Sequence, residues 1–124
     1  MEKNKILIID DDTRNIFALV LTLKTRGYTC LSAASAADGL ELLKNNRQIS
    51  VVLLDMMMPD MDGYQALYSL RTDRRYPHIP VIAVTAQAMP GDREKCLAAG
   101  ADDYISKPID VDDLLRLLEK HMAS

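Results

Sequence analysis

Four short runs of strand-forming residues, each followed directly by a polar side chain, constrain the fold of this chain more than any other feature. Such apolar, mostly β-branched runs predict strands that are buried on both faces of a parallel sheet. In such sheets the ligand-binding edge lies beyond the carboxyl ends of the strands. We therefore expect the polar residues to converge on one shallow cleft, suited to a divalent cation and a phosphoryl group. Asp10 to Asp12 follow residues 6–9, Asp55 follows 51–54, Thr85 follows 81–84 and Lys107 follows 103–106.

The stretches between these runs show helical spacing of apolar residues, and a further strand is predicted over residues 29–33. The chain thus alternates strand and helix five times, in a (βα)5 pattern without repeats or linkers. Right-handed crossovers then place helices on both faces of the sheet. The predicted fold is an α/β doubly wound, three-layer sandwich around a five-stranded parallel sheet.

Helix boundaries are predicted from capping residues. Gly27 should end the first helix, and Gly100 should end a fourth helix over residues 89–99. Ser35 and Asp110 should cap the second and last helices. The apolar residues expected to face the core are Ile16, Leu19, Val20 and Leu23; Ala37, Leu40 and Leu43; Tyr64, Leu67 and Leu70; and Val111, Leu114, Leu115 and Leu118.

Composition bounds the class of protein. A chain of 124 residues, 48% hydrophobic and 27% charged, is expected to form one globular domain. A net charge of −3, with no basic stripe outside the helix end at 71–75, argues against a nucleic-acid partner. Cys30 and Cys96 lack CxxC spacing and are expected to be buried, reduced residues. No signal peptide or membrane segment is evident, so a cytoplasmic location is expected.

Five motifs lie at predicted strand ends or in the loops behind them. They are Asp10-Asp11; Asp55 with Met58-Pro59 and Asp62-Gly63 behind it; Thr85-Ala86; Gly100-Ala101-Asp102; and Lys107-Pro108. In order and spacing they resemble the receiver domain of the two-component response-regulator family. The similarity covers residues 5–122, and it implies a single receiver domain over 1–124 with the flavodoxin-like strand order 2-1-3-4-5.

Asp55 is the predicted phosphoryl acceptor, because an ionised aspartate is a nucleophile that can form an acyl phosphate. Asp10 and Asp11 would repel Asp55 unless a cation lay between them. Mg²⁺ takes about six oxygen ligands and keeps several waters. The resemblance implies that Asp11 and Asp55 bind Mg²⁺ directly, that Asp10 acts through a water, and that the backbone carbonyl of Met57 is a further ligand.

Three more residues are assigned to the phosphoryl group and its readout. Lys107 is expected to pair with Asp55 before reaction and to hold the phosphate oxygens afterwards. The hydroxyl of Thr85 is expected to donate a hydrogen bond to the phosphoryl group. The resemblance implies that Tyr104 responds as a switch residue, and that the peptide bond before Pro108 is cis.

The other polar residues are interpreted as structural. Asp12 is expected to cap the first helix. Asp102 and Asp103 are expected to lie in a solvated turn, and Arg71 at a solvated helix end. His78 and His121 are expected to be exposed and unpaired, so the phosphoryl donor should be a histidine on another protein. Core filling and loop packing account for Met56, Met57, Met58 and Met61.

Two other functions are alternatives to the receiver. Asp10-Asp11-Asp12-Thr13 superficially resembles the nucleophile motif of haloacid-dehalogenase-type phosphatases, in which Asp10 would be the nucleophile. In this chain Thr13 comes one place too early and Arg14 occupies the position that the motif requires. A degenerate scaffold that docks partners without phosphorylation would lack Asp55 or Lys107, and both are present.

The kind of receiver and its partner follow from the resemblance. Residues 14–19, 88–96 and 106–110 are most similar to receivers attached to hybrid sensor histidine kinases, and a stand-alone single-domain regulator is the alternative. The partner would be a histidine kinase or a histidine phosphotransfer protein. It is expected to pack on the first helix, from which Arg14, Asn15 and Ala18 should face outward. The pair Pro108-Ile109 would border this surface.

Overall fold

Five strands alternate with five helices, as the sequence predicts. The computed structural model describes residues 5–58, 63–74, 76, 78–86 and 90–122. The strands are β1 (Lys5–Ile9), β2 (Thr29–Ala33), β3 (Ile49–Asp55), β4 (Val81–Thr85) and β5 (Asp103–Ser106). The helices are α1 (Thr13–Thr25), α2 (Ala36–Asn45), α3 (Gly63–Thr72), α4 (Asp92–Ala98) and α5 (Val111–Met122). Within the described ranges, none of these helices has the length and apolarity to cross a membrane.

The strands form one parallel sheet in the order β2-β1-β3-β4-β5, which confirms the predicted topology. The register pairs Asp55 with Val84 across β3 and β4, and Thr85 with Ser106 across β4 and β5. The carboxyl ends of these strands are therefore level. Polar side chains that end or follow them must lie along one edge of the sheet.

Alternate strand residues face opposite sides of the sheet, and each side has its own apolar core. One core combines Leu7, Ile9, Val52, Leu54, Val81 and Ala83 with residues of α2, α3 and α4. The other combines Ile6, Ile8, Val51, Leu53, Ile82 and Val84 with residues of α1 and α5. Both faces of the central strands are thus covered, which explains why their sequences are apolar throughout.

The predicted helix caps are present. Asp12 Oδ1 accepts hydrogen bonds from the N–H groups of Arg14 and Asn15 at 3.0 and 3.4 Å. Ser35 Oγ and Asp110 Oδ1 each accept from the N–H three residues on, both at 3.1 Å. The last turn of α1 is followed by Gly27 at φ 90°, a left-handed conformation that ends the helix.

Two details of the helix predictions were wrong. In α2 the buried alanine is Ala36, whereas Ala37 is exposed. Gly39 sets this phase, because a Cβ there would lie 2.4 Å from Ile9 Cδ1 and only a glycine permits such close packing. Helix α4 begins at Asp92 because Gly91 has a φ of 87° and cannot lie inside a helix. The predicted start at Met89 lies outside the described residues, as do Pro59, Met61 and Asp62.

Arg71 and Asp102 are structural partners, so their prediction as solvated residues was wrong. Arg71 donates through Nε to the Gly100 carbonyl at 3.0 Å and through Nη1 to the Ile79 carbonyl at 2.9 Å. Its Nη2 lies 2.7 Å from Asp102 Oδ2, which also accepts the Val81 N–H at 2.8 Å. Arg71 therefore ties the end of α3 to the chain entering β4 and β5.

His121 was also wrongly predicted to be exposed and unpaired. Its Nε2 lies 3.0 Å from Asp103 Oδ2, and Lys120 Nζ lies 3.4 Å from the same oxygen. Burial opposes ionisation of Asp103, but hydrogen bonds from His121, from the Tyr104 N–H and from Lys120 outweigh it and lower the pKa of Asp103. The end of α5 is thereby joined to the start of β5.

The two cysteines are free thiols. Cys96 is buried as predicted, whereas Cys30 is half-buried. Burial raises the pKa of the Cys30 thiol to about 11, so it stays protonated and unreactive at neutral pH.

Replacing Arg71 by Lys should lower the free energy of unfolding by about 1–3 kcal/mol, because an ammonium group cannot make three hydrogen bonds in the geometry of a guanidinium fork. Urea unfolding would measure the loss. Arg74→Lys is the matched control, since Arg74 is exposed near the same helix end and should tolerate the change. Equal stability of the Arg71→Lys variant and the wild type would contradict the assigned structural role.

Candidate functional site

The polar residues predicted from the strand ends meet at one edge of the sheet. Asp10 and Asp11 follow β1, Asp55 ends β3, Thr85 ends β4 and Lys107 follows β5. Backbone hydrogen bonds continue between strands at this level: the Lys107 N–H donates to the Thr85 carbonyl at 2.7 Å. The backbones of Asp10, Asp55, Thr85 and Lys107 are thus bonded to the sheet at this edge.

Asp10, Asp11 and Asp55 form an acidic cluster in which one carboxylate oxygen from each residue lies within 4.8 Å of the others. Asp10 and Asp55 are buried, whereas Asp11 is exposed. Oxygens that bind one Mg²⁺ lie at most about 4 Å apart, because each Mg–O distance is about 2.1 Å. At up to 4.8 Å, the oxygen separations in this cluster are only slightly larger than those of a magnesium site. Its all-oxygen ligand set suits Mg²⁺ and not a thiolate-seeking metal.

Asp55 is in an environment that resists its negative charge. Burial is the main cause that raises its pKa, and the nearby charge of Asp10 adds to it. The Met57 N–H, which donates to Asp55 Oδ1 at 3.0 Å, and the positive charge of Lys107 lower the pKa but do not compensate. A cation between the carboxylates would favour the ionised form that the cluster disfavours.

Lys107 lies nearer to Asp10 than to Asp55, although pairing with Asp55 was the prediction. Its Nζ is 3.3 Å from Asp10 Oδ2 and 3.9 Å from Asp55 Oδ2. The other oxygen of Asp10 accepts the Asp12 N–H at 2.8 Å. Both oxygens of Asp10 therefore have partners within the protein. The Lys107–Pro108 peptide bond is cis, as the resemblance implied.

Thr85 and Tyr104 are in direct contact. Thr85 is buried, and its Oγ1 donates a hydrogen bond to the Tyr104 hydroxyl at 3.3 Å. The tyrosine ring is half-buried and packs against the core on the α2, α3 and α4 side. The two predicted switch residues thus form one unit beside the acidic cluster.

Sequence reasoning missed two features around the site. Met57 was treated as filler, yet its side chain is 67% exposed while Met56 and Met58 are buried. Its N–H contact with Asp55 depends on the loop backbone and has no signal in the sequence. Phe17 on α1 is 66% exposed and Leu21 is 49% exposed. Phe17 precedes Ala18 by one residue and Leu21 follows it by three, so both lie near a residue that was predicted to face outward. This spacing could have indicated an apolar surface on that face of α1.

The fold and the acidic cluster define a flavodoxin-like α/β domain with its ligand edge at the strand ends. The response regulator receiver domain family matches residues 6–119, and the chain belongs to this family.

Two relatives differ in how much of their own length this chain covers. Protein PilH of Pseudomonas aeruginosa is 34% identical over 119 residues, which cover 96% of this chain and 98% of PilH. The sensor histidine kinase RcsC of Escherichia coli is 38% identical over 113 residues, covering 91% of this chain but 12% of RcsC. The chain thus spans almost all of one relative and a small part of the other.

A solved structure resembles the chain over nearly its whole length. The receiver domain of sensor histidine kinase PA1611 from Pseudomonas aeruginosa is 32% identical, with a TM-score of 0.86 and 98% of each chain covered. That structure has a magnesium ion coordinated in its active-site cleft.

Asp11→Asn should remove the response of stability to Mg²⁺. A tenfold excess of Mg²⁺ over its Kd should add about 1.4 kcal/mol to the free energy of unfolding of the wild type and almost nothing to that of the variant. Without metal the variant should be at least as stable as the wild type, because one of three like charges is gone. Thermal unfolding with Mg²⁺ and with excess chelator measures both effects.

Asp12→Asn is the matched control for this test. It removes a neighbouring charge outside the cluster, and Asn caps a helix about as well as Asp. If both variants keep the wild-type response to Mg²⁺, Asp11 is not a metal ligand.

Proposed function

We propose that this receiver domain accepts a phosphoryl group on Asp55, in a Mg²⁺-dependent transfer from a histidine of a kinase or of a histidine phosphotransfer protein. The observation that carries the proposal is the placement of Asp55 beside two further carboxylates and one lysine. Family membership supports the class of reaction.

Asp55 is the nucleophile in this proposal. The Met57 N–H orients Asp55 Oδ1, and Oδ2 is the oxygen that lies toward Lys107. A carboxylate oxygen attacks phosphorus in line with the P–N bond of the phosphohistidine. The P–O bond forms as the P–N bond breaks, and the electron pair returns to the imidazole nitrogen, which takes up a proton. The products are an aspartyl phosphate and a neutral histidine.

The charges around Asp55 stabilise the transferred group. Lys107 can leave Asp10 for the phosphoryl oxygens, because its ammonium group lies between the two carboxylates. Mg²⁺ bound to Asp11, Asp55 and the Met57 backbone carbonyl, with Asp10 acting through a water, would neutralise the charge on the phosphoryl oxygens. Without a cation the cluster repels an incoming phosphate, which makes the transfer metal-dependent.

The response to phosphorylation is assigned to Thr85 and Tyr104. A phosphoryl oxygen on Asp55 offers the Thr85 hydroxyl a charge-assisted hydrogen bond, which is stronger than the present bond to a neutral hydroxyl. Tyr104 would then move into the space that Thr85 leaves and remodel the surface around β5. Phosphorylation shifts this equilibrium only by its different affinity for the two arrangements.

The phosphatase alternative, with Asp10 as nucleophile, fits the site less well. One oxygen of Asp10 accepts the Asp12 N–H and the other lies 3.3 Å from Lys107. In the resting domain Asp10 is thus the closer partner of Lys107, and the chain has Arg14 at the position that the phosphatase motif requires for threonine or valine. Asp55 Oδ2, at 3.9 Å from Lys107, is held less closely.

We place the domain in the cytoplasm, as part of a hybrid sensor kinase, with a stand-alone regulator as the alternative. The hybrid context rests on the similarity of residues 14–19, 88–96 and 106–110 to hybrid-kinase receivers, and on the match to a segment of RcsC. PilH, which the chain spans almost completely, supports the alternative.

Incubation with acetyl phosphate and Mg²⁺ should add one acid-labile phosphoryl group at Asp55, detected by intact mass. Asp55→Asn should abolish the mass increase and leave the far-ultraviolet circular dichroism unchanged, because the two side chains are nearly isosteric. Chelation of Mg²⁺ should abolish labelling of the wild type. A phosphoryl group on Asp10 in the Asn variant would support the phosphatase instead.

The donor is proposed to dock on an α1 patch formed by Arg14, Phe17, Ala18 and Leu21, all of them exposed. These residues recur at helical spacing on one face of α1, whose first turn adjoins Asp10 and Asp11. The small Ala18 allows a second helix to approach closely. A donor helix on this patch would bring its phosphohistidine to the edge of the sheet where Asp55 lies.

Ala18→Arg should slow phosphotransfer from the cognate histidine protein about tenfold or more, because it introduces a clash and an unpaired charge into the interface. Radiolabel transfer would measure the rate. Labelling by acetyl phosphate needs no docking and should be unchanged.

Ala37→Arg is the matched control, since Ala37 is an exposed alanine on α2, away from the patch. It should leave both reactions unchanged. Loss of both reactions in the Ala18→Arg variant would indicate damage to the site or the fold, and would contradict docking on α1.

A further inference from the structure

Helix α4 is the shortest helix in the described part of the chain. It has seven residues, and Cys96 is its one buried side chain. A helix this short is not stable by its own hydrogen bonds, so its position depends on contacts with the rest of the protein. Elements with few buried apolar contacts open most easily. Whatever holds Cys96 and its neighbours therefore controls the position of α4.

Tyr64, in the first turn of α3, makes two contacts with α4. Its hydroxyl lies 3.6 Å from Cys96 Sγ, and the Lys95 ammonium lies 4.6 Å from the centre of its ring. The first contact engages the buried anchor of α4, and the second is a cation–π interaction at the surface. Tyr64 thus contacts both a buried residue and an exposed residue of α4.

The start of α3 is itself pressed against the end of β3. Gly63 N–H donates to the Met56 carbonyl at 3.4 Å. A Cβ at Gly63 would lie 2.4 Å from Met56 Cα and 2.8 Å from the Asp55 carbonyl oxygen. A glycine is needed for this close backbone approach. Tyr64 therefore directly follows Gly63, whose backbone is packed against that of Asp55 and Met56.

We propose that Tyr64 clamps α4 to the end of β3 and carries changes at Asp55 to the α4 surface. This inference rests on the proposed function for the identity of the signal, and it deepens that function by adding a route that does not use Thr85 and Tyr104. A displacement at the Asp55–Met56 backbone moves Gly63, and Tyr64 transmits the movement to Lys95 and Cys96.

The clamp is tested first without any ligand, by amide hydrogen exchange measured with NMR. Tyr64→Leu removes the ring and the hydroxyl, and exchange in α4 should become about three- to tenfold faster, as expected for the loss of one cation–π contact and one weak hydrogen bond. Tyr64→Phe keeps the ring over Lys95 and should show a smaller increase. Exchange in β1 and β3 should be unchanged, which separates loosening of α4 from global destabilisation.

Tyr68→Leu is the matched control, because Tyr68 lies one turn later on α3 and is 69% exposed. In the Tyr68→Leu variant, the amides of α4 should exchange at the wild-type rate. If the Tyr64→Leu and Tyr68→Leu variants exchange alike in α4, Tyr64 does not clamp this helix and the proposal is wrong.

The coupling is tested by adding beryllofluoride with Mg²⁺ as a phosphate mimic. In the wild type, amide shifts should change at Thr85, at Tyr104 and in α4. In Tyr64→Leu the changes at Thr85 and Tyr104 should persist, while those in α4 should fall to less than about half. Undiminished α4 changes would overturn the coupling. No change at Thr85 in the wild type would instead contradict the proposed function, and the exchange experiment would still decide the clamp.

Discussion

Two buried carboxylates at the end of a parallel sheet are the constraint on which this structure depends. Burial and the nearby charge of Asp10 raise the pKa of Asp55, yet the fold holds both carboxylates there and adds Asp11 at the rim. Lys107 and the N–H groups of Asp12 and Met57 offset part of the repulsion. With all three carboxylates ionised and Lys107 protonated, the cleft would carry a charge of −2, which a bound divalent cation would neutralise. This arrangement suits the Mg²⁺-dependent phosphorylation that we propose for Asp55.

Much of this arrangement could be predicted because strand signals are local. A run of apolar residues predicts a buried parallel strand, and the residue at the carboxyl end of that strand must then lie at the ligand-binding edge of the sheet. The contacts of Arg71 with Asp102 and of His121 with Asp103 join residues 31 and 18 positions apart, and no local pattern signals them. The prediction of which α2 residues face the core was wrong for a similar reason, since the orientation of α2 depends on how Gly39 packs against Ile9 across the core.

The two ends of β4 and β5 are held in different ways. At the amino end, Arg71 and Asp102 satisfy the carbonyl of Ile79 and the N–H of Val81 with charged groups. At the carboxyl end, the hydroxyl of Thr85 has a neutral partner, Tyr104, at 3.3 Å. Hydrogen bonds to charged groups are roughly twice as strong as neutral ones. In the switch that we propose, a new charge at Asp55 would therefore draw on the Thr85 hydroxyl at the carboxyl end, while the charged contacts hold the amino end.

Helices α5 and α4 also differ in how strongly they are held. Helix α5 has twelve residues, two buried leucines, a capping Asp110 and a tie from His121 to Asp103. Helix α4 has seven residues and one buried side chain, and it relies on Tyr64 of another helix. Because stability is distributed so unevenly, a small free-energy change at the acidic cluster cannot be shared equally between the two helices. In the mechanism that we propose, this change is expressed where the restraint is weakest, so that the position of α4 would report the state of Asp55.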